Sequence, residues 1–147
     1  MKKAKGFTLI ELMVVIVILG ILAAVIAPRI PGFVNKAKEG KTKGNLGNLR
    51  SALNICYSDN DGVYPSSGTL SSALCPKYIK EIPPADCPPH HTDPVATVTN
   101  DATAGAWTVA DATFGWRYEE TSTENDWGEL IVNCSHTDSA GNQWTSY

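Results

Sequence analysis

Twenty-one consecutive residues, Phe7 to Ala27, carry no basic side chain and a single acid, Glu11. Coiled as a helix, the run is about 31 Å long, the thickness of a bilayer's hydrocarbon core. That length argues against an ordinary secretory signal, whose apolar region runs roughly 7–15 residues. Val25-Ile26-Ala27 offers a small-residue exit, but Glu11 would then interrupt the apolar region and Pro28 would follow the cut directly. The acid is the informative exception. A charged residue at the centre of a membrane helix costs roughly 2.5–3.5 kcal/mol on insertion scales, so one that is retained marks a functional position and needs a partner.

Ahead of the run stand Lys2, Lys3 and Lys5, then Gly6-Phe7-Thr8-Leu9-Ile10-Glu11; behind it the apolar block continues from Leu12 through Gly20 to Ala23. These residues resemble the N-terminal signature of type IV pilins and of their relatives, the type II secretion pseudopilins. The match is close over about the first thirty residues and holds in outline beyond them. It is specific because the Gly-Phe junction, the acid and the unbroken apolar block must coincide. The resemblance implies cleavage after Gly6 by a prepilin peptidase, N-methylation of Phe7, and assembly by inner-membrane machinery into a filament of identical copies held through Phe7 and Glu11. It also implies that Gly20 and Pro28 mark where the helix loosens on packing. Cleavage would expose an ammonium on Phe7, four residues before Glu11 and therefore on the same helix face. The acid can then meet the amine of its own chain or of a neighbour. At an effective dielectric near 20, unit charges about 4 Å apart attract by about 4 kcal/mol, enough to offset the burial.

The chain has 147 residues, room for one modest domain and a long helix. Three of its twelve basic side chains fall in the leader, so a mature chain would carry nine against fifteen acids, a net of −6. Such a balance draws no nucleic acid by bulk electrostatics. The leader lysines favour a cytoplasmic N-terminus with the body of the protein on the other side. Arg29, Lys36, Lys38, Lys41 and Lys43 cluster just beyond the apolar span, where they would flank the membrane. Four cysteines, Cys56, Cys75, Cys87 and Cys134, all follow that span. An even count in an exported domain points to two disulfides. Three pairings are open, with Cys56–Cys75 and Cys87–Cys134 preferred.

The pattern predicts three parts: a leader over 1–6, a stalk helix over 7–59 whose first part, 7–27, crosses the membrane, and a disulfide-bonded head over 60–147. Leu46, Leu49, Leu53 and Cys56 recur at helical spacing, an apolar stripe able to dock on a sheet. Pro28, Pro31 and Gly32 are weak points in the stalk, and either a boundary near Ala27 with a second helix from Phe33 or a loosened continuous helix fits them. Gly40, Gly44 and Gly47 each weaken a helix by about 1 kcal/mol, and allow either close helix approach or local flexibility. Asp59-Asn60-Asp61-Gly62 ends the helix as a turn. The following Tyr64-Pro65 is similar to the segment after the stalk in major pseudopilins and several pilins. Leu70 to Cys75 predicts a helical turn stopped by Pro76, Ile82 to Pro94 an irregular proline-rich stretch, and Thr92 to Thr113 a polar surface excursion. Phe114, Trp116 and Tyr118 alternate with Gly115, Arg117 and Glu119, predicting a strand with one aromatic and one solvated face. Trp127–Cys134 predicts its neighbour and Gln143–Tyr147 a last short strand. Together these predict an α+β, pilin-like fold, the C-terminal half of the stalk packed on a small antiparallel sheet.

No residues assemble an acid–base pair, a nucleophile with its base, or a phosphate loop, so the chain is read as a structural subunit and not an enzyme. The Asp59–Gly62 turn lacks the first and last ligands of an EF-hand loop. Major pseudopilins often carry a calcium loop of several acids near the C-terminus, and this chain has only Asp138 after Cys134. Cys87-Pro88-Pro89-His90-His91 with Cys75 offers metal ligands, but oxidation would consume the thiols, so His90-His91 is read as an exposed loop. No metal or cofactor is expected. Trp107, Trp116, Trp127 and Trp144 are read as packing residues. The resemblance then implies a precursor in the inner membrane that becomes an extracellular type IV pilus, or alternatively a periplasmic pseudopilus that drives protein secretion.

Overall fold

The computed structural model describes residues 6–65, 70–101, 113–123 and 125–147. Most of the leader, the end of the Tyr64-Pro65 loop and the centre of the polar excursion, Trp107 included, lie outside them. The chain divides into two compact units, Met1–Val34 and Asn35–Tyr147.

Helix α1 (Leu9–Ile26) begins two residues later than the apolar run because Thr8 caps it from an extended backbone. One 3₁₀ turn, Ala27–Arg29, follows before α2 (Ile30–Asp59). Pro28 sits in the first positions of that turn and Pro31 in the first turn of α2, where a missing N–H leaves no bond unmade. Both alternatives for this stretch are therefore partly realised: there is a boundary at Ile26, and the backbone still coils through it, with α2 starting at Ile30 and not near Phe33.

In the second unit, the predicted stripe Leu46, Leu49, Leu53 and Cys56 is buried, joined by Ala52 and, unexpectedly, by Glu39 and Thr42. It packs with α3 (Leu70–Leu74) and with two small sheets. The first is a hairpin of β1 (Ala85–Cys87) and β2 (His91–Val95), formed in the stretch expected to be irregular. The second has the order β3-β4-β5, with β4 (Gly115–Glu119) antiparallel to β5 (Leu130–Asn133) and parallel to β3 (Val98–Asp101).

Central position changes what β4 can display. Trp116 and Tyr118 are buried as the alternation requires, but so are Arg117 and Glu119, because both faces of this strand are covered. The expected solvated face does not exist there, although Glu120, one residue on, is half-buried. Glu119 is held by accepting from the Thr121 N–H at 2.8 Å. Burial pulls the Arg117 guanidinium below its ordinary range, opposed by the Glu119 charge.

β5 is shorter than predicted because Gly128, at φ +85°, turns the chain beside the Tyr64 ring, where any Cβ would collide. Tyr64 also stacks on Tyr57 and meets Trp127 edge-on at 5.3 Å, and the Pro65 carbonyl accepts from the Tyr118 hydroxyl at 2.8 Å. The Tyr-Pro segment thus knits α2 to the sheet. The last segment forms a 3₁₀ turn, Trp144–Ser146, and not a strand. Trp144 is swallowed whole by the core there.

Candidate functional site

The N-terminal unit carries the predicted assembly motif. Thr8 and Glu11 form a reciprocal cap: the Glu11 N–H donates to Thr8 Oγ1, while the Thr8 N–H and hydroxyl donate to Glu11 Oε2 at 2.8 and 2.6 Å. Two otherwise orphaned helix-end donors are satisfied in this way. The Thr-x-x-Glu spacing signals such a box in the sequence, and reading Glu11 only as the partner of an amine missed it. Both contacts fall on one carboxylate oxygen, Oε2. Gly6 and Phe7 precede the helix, with Phe7 84% exposed.

Beyond the cap, α1 buries none of its side chains, and fourteen large apolar residues lie between Leu9 and Ile26. Each contributes about 1.5–3 kcal/mol when taken out of water, so the uncovered face represents on the order of 20 kcal/mol or more. A helix apolar all round belongs in lipid or among other helices, and this one is long and apolar enough to cross a membrane. Gly20 sits inside α1 with nothing within 4 Å of where a side chain would begin.

Three of the five basic residues expected to flank a membrane bind within the second unit. Lys38 donates to the Thr92 carbonyl at 3.0 Å, Lys41 pairs with Asp86 at 3.2 Å, and Lys43 pairs with Asp138 at 2.7 Å. Thr42 Oγ1 both donates to the Asp86 carbonyl and accepts from its N–H, each at 2.8 Å. Arg50 grips the Leu130 and Tyr147 carbonyls, and Glu39 accepts from Ser139 through both its N–H and its hydroxyl. One polar ladder along α2 therefore fixes the hairpin and the C-terminal loop.

The Lys43–Asp138 pair is the shorter of the two ion pairs in this ladder. Asp138, nearly inaccessible, accepts from the Lys43 ammonium, the Tyr147 hydroxyl and the N–H groups of Ala140 and Asn142. The ammonium and the hydroxyl hold its carboxyl well below the usual range. Burial pulls the Lys43 ammonium down, but the bonds to Asp138 and Tyr147 outweigh it and lift it.

All four cysteines fall within the second unit. Cys56, in α2, accepts from the Asn60 amide at 3.2 Å; Cys75 follows α3, half-buried. Cys87, ending β1, and Cys134, just past β5, are fully buried with their sulfurs in hydrogen-bond contact. Sharing that bond pushes the Cys87 thiol up and brings Cys134 down to about 6, helped by His136 and His91. The histidine doublet is not a simple loop: His90 is exposed, but His91 is half-buried and lies flat on Phe114 at 4.3 Å. His91, Cys134 and His136 bring one ligand atom each to within 4.8 Å of one another. Cys75 does not belong to this group, and His136 was overlooked because it lies 45 residues from the doublet in sequence.

Comparison with known proteins points the same way as the N-terminal geometry. Residues 1–27 match the prokaryotic N-terminal methylation motif. The chain is 40% identical over 86 residues to the type II secretion system core protein G of Pectobacterium carotovorum subsp. carotovorum, covering 58% of this chain and 54% of that one. It is 38% identical over 96 residues to the protein of that name in Vibrio cholerae serotype O1, covering 56% and 65%. With fimbrial protein EcpC of Eikenella corrodens it shares 32% over 134 residues, covering 89% and 82%. The chain thus spans between half and two thirds of the two core G proteins, but most of the fimbrial one. No solved structure matches it. With a motif, a capped apolar helix and a relative matched over most of both lengths, the chain belongs to the family of type IV pilins and type II secretion pseudopilins, whose members are structural subunits and not enzymes.

Proposed function

We propose that this chain is a major pseudopilin: a subunit of a periplasmic pseudopilus that drives protein secretion. The observation that carries the reading is its similarity to the type II secretion core G proteins, at 40% and 38% identity to those of Pectobacterium carotovorum and Vibrio cholerae. The precursor is held in the inner membrane by residues 7–27, with 1–6 as leader and the head beyond the stalk. Prepilin peptidase cuts between Gly6 and Phe7, and Phe7 is methylated. The freed ammonium then approaches Glu11 from the side that Thr8 leaves, on Oε1, and sets the register of neighbouring copies. Gly20 and Pro28 are the positions where the helix yields as copies pack.

A second reading, a subunit of a surface type IV pilus, is favoured by the fimbrial relative, which aligns over 89% of the chain. Deleting the gene separates them. A pseudopilin mutant accumulates unsecreted exoproteins and keeps its surface fibres. Loss of fibres with normal secretion would overturn the first reading in favour of the second.

A further inference from the structure

The two histidines around Cys134 are not accounted for by filament assembly, nor by pairing of cysteines. The two strands of the hairpin supply Cys87, at the end of β1, and His91, at the start of β2, four positions apart; the segment just past β5 supplies Cys134 and His136, two apart. Two short ligand pairs from separate elements are the pattern of tetrahedral structural zinc sites. Here the fold closes them on each other. Cys134 Sγ lies 3.5 Å from His136 Nδ1, and His91, Cys134 and His136 hold their ligand atoms within 4.8 Å of one another; Cys87 lies outside that trio but shares a hydrogen bond with Cys134.

Neighbouring rings hold the imidazoles in place. His91 lies parallel to Phe114 at 4.3 Å, and His136 is stacked by His90 at 3.8 Å with 11° between the rings. Ligands about 2.0–2.3 Å from a tetrahedral ion sit roughly 3.3–3.8 Å apart, so the trio needs to contract by about 1 Å and Cys87 must turn in to complete it. Two thiolates and two imidazoles select a borderline-soft divalent ion over magnesium or calcium.

We propose that Cys87, His91, Cys134 and His136 form a Cys₂His₂ site for one Zn²⁺ ion, which staples the β1–β2 hairpin to the end of β5. The site lies within the head and stands whichever filament the chain builds. Binding consumes no oxidant: two thiols lose their protons and four ligand bonds form. It is also incompatible with a Cys87–Cys134 disulfide, so the ion must be bound before the oxidising conditions met by an exported head join the two sulfurs.

The test uses the full chain in detergent, taken from its native compartment without chelator and with thiols alkylated on lysis, and then the reduced chain titrated with Co²⁺ as a spectroscopic stand-in. Expected are about one zinc per chain, a thiolate-to-cobalt charge-transfer band, and the intense visible bands of tetrahedral cobalt. His91→Gln and His136→Gln should each weaken Co²⁺ affinity by tenfold or more, whereas His90→Gln, which removes only a stacking ring, keeps one ion bound. Cys134→Ser should abolish the charge-transfer band, and the two histidine variants keep the test decisive should that buried serine unfold the head. Cobalt spectra unchanged by both histidine variants would overturn the site. So would a native chain whose Cys87 and Cys134 are joined to each other.

Discussion

Val17 and Leu49 are both aliphatic residues inside helices, yet Val17 is 57% exposed and Leu49 is completely buried. The contrast holds for the two units as wholes. In α1, none of the apolar side chains is buried by the described residues, so these do not choose between Val, Ile and Leu at a given position. In the second unit each buried position has a defined neighbour, down to Thr42 clamping one residue of β1 from both sides. Helix α1 is specified by composition with a single acidic exception, Glu11, the second unit by complementarity. Assembly and head stability should therefore be separable by mutation.

Glu11→Val tests that separation most severely. If the carboxylate sets the register of subunits, its loss removes an attraction of about 4 kcal/mol before desolvation, and a surviving net of even 1.4 kcal/mol is tenfold in association. Filament or pseudopilus yield should fall at least about tenfold, while the thermal midpoint of the head stays where it was. Normal filaments, or a shifted midpoint, would break the comparison. Leu49→Ala should do the reverse. Emptying that buried site costs about 3 kcal/mol or more, read as a lower denaturant midpoint, whereas Val17→Ala should leave that midpoint unmoved.

The contrast also sets what could be read from the sequence. The membrane-length helix, the Leu46–Cys56 stripe, the α3 turn and the β4–β5 core followed from periodicity, which needs no partner. The failures were pairings across distance. Arg117 and Glu119 alternate like a wet strand face, and only the parallel arrival of β3 beside β4 shows that this strand is central. Lys41 and Lys43 look like membrane-flanking charges until Asp86 and Asp138 arrive from 45 and 95 residues away. Cys134 and His136 meet His91 for the same reason. The Thr8–Glu11 cap is the exception: its Thr-x-x-Glu spacing is local, yet reading Glu11 only as the partner of an amine missed it.

Among those distant pairings, Lys43 with Asp138 carries a pH signature. Asp138 has a depressed folded-state pKa, so its contribution is present above the ordinary carboxylate range and is lost as pH falls through and below it. Lys43 is raised, so its contribution is present at neutral pH and is lost as the solution passes above the ordinary lysine range. Lys43→Met should destabilise the head by about 2 kcal/mol, less than a fully buried pair because the ammonium is about one third exposed. Asp138→Asn should flatten the acid limb of the stability–pH curve measured by urea unfolding. An acid limb unchanged in that variant would show that other carboxylates govern it.

The smallest effect asks whether the second unit has an unfinished face of its own. Gly40, Gly44 and Gly47 are exposed on α2 with open space for 4 Å around the point where a Cβ would stand, so the chain itself gives no packing reason for them. Gly44→Ala should stabilise the head by about 0.5–1 kcal/mol, since alanine restricts the unfolded chain and favours the helix. If these glycines confer only local flexibility, assembly is unchanged and the gain appears alone. If Gly44→Ala raises the midpoint and lowers filament yield together, the glycine face is where a neighbouring copy comes close, and complementarity in this molecule extends past its own chain.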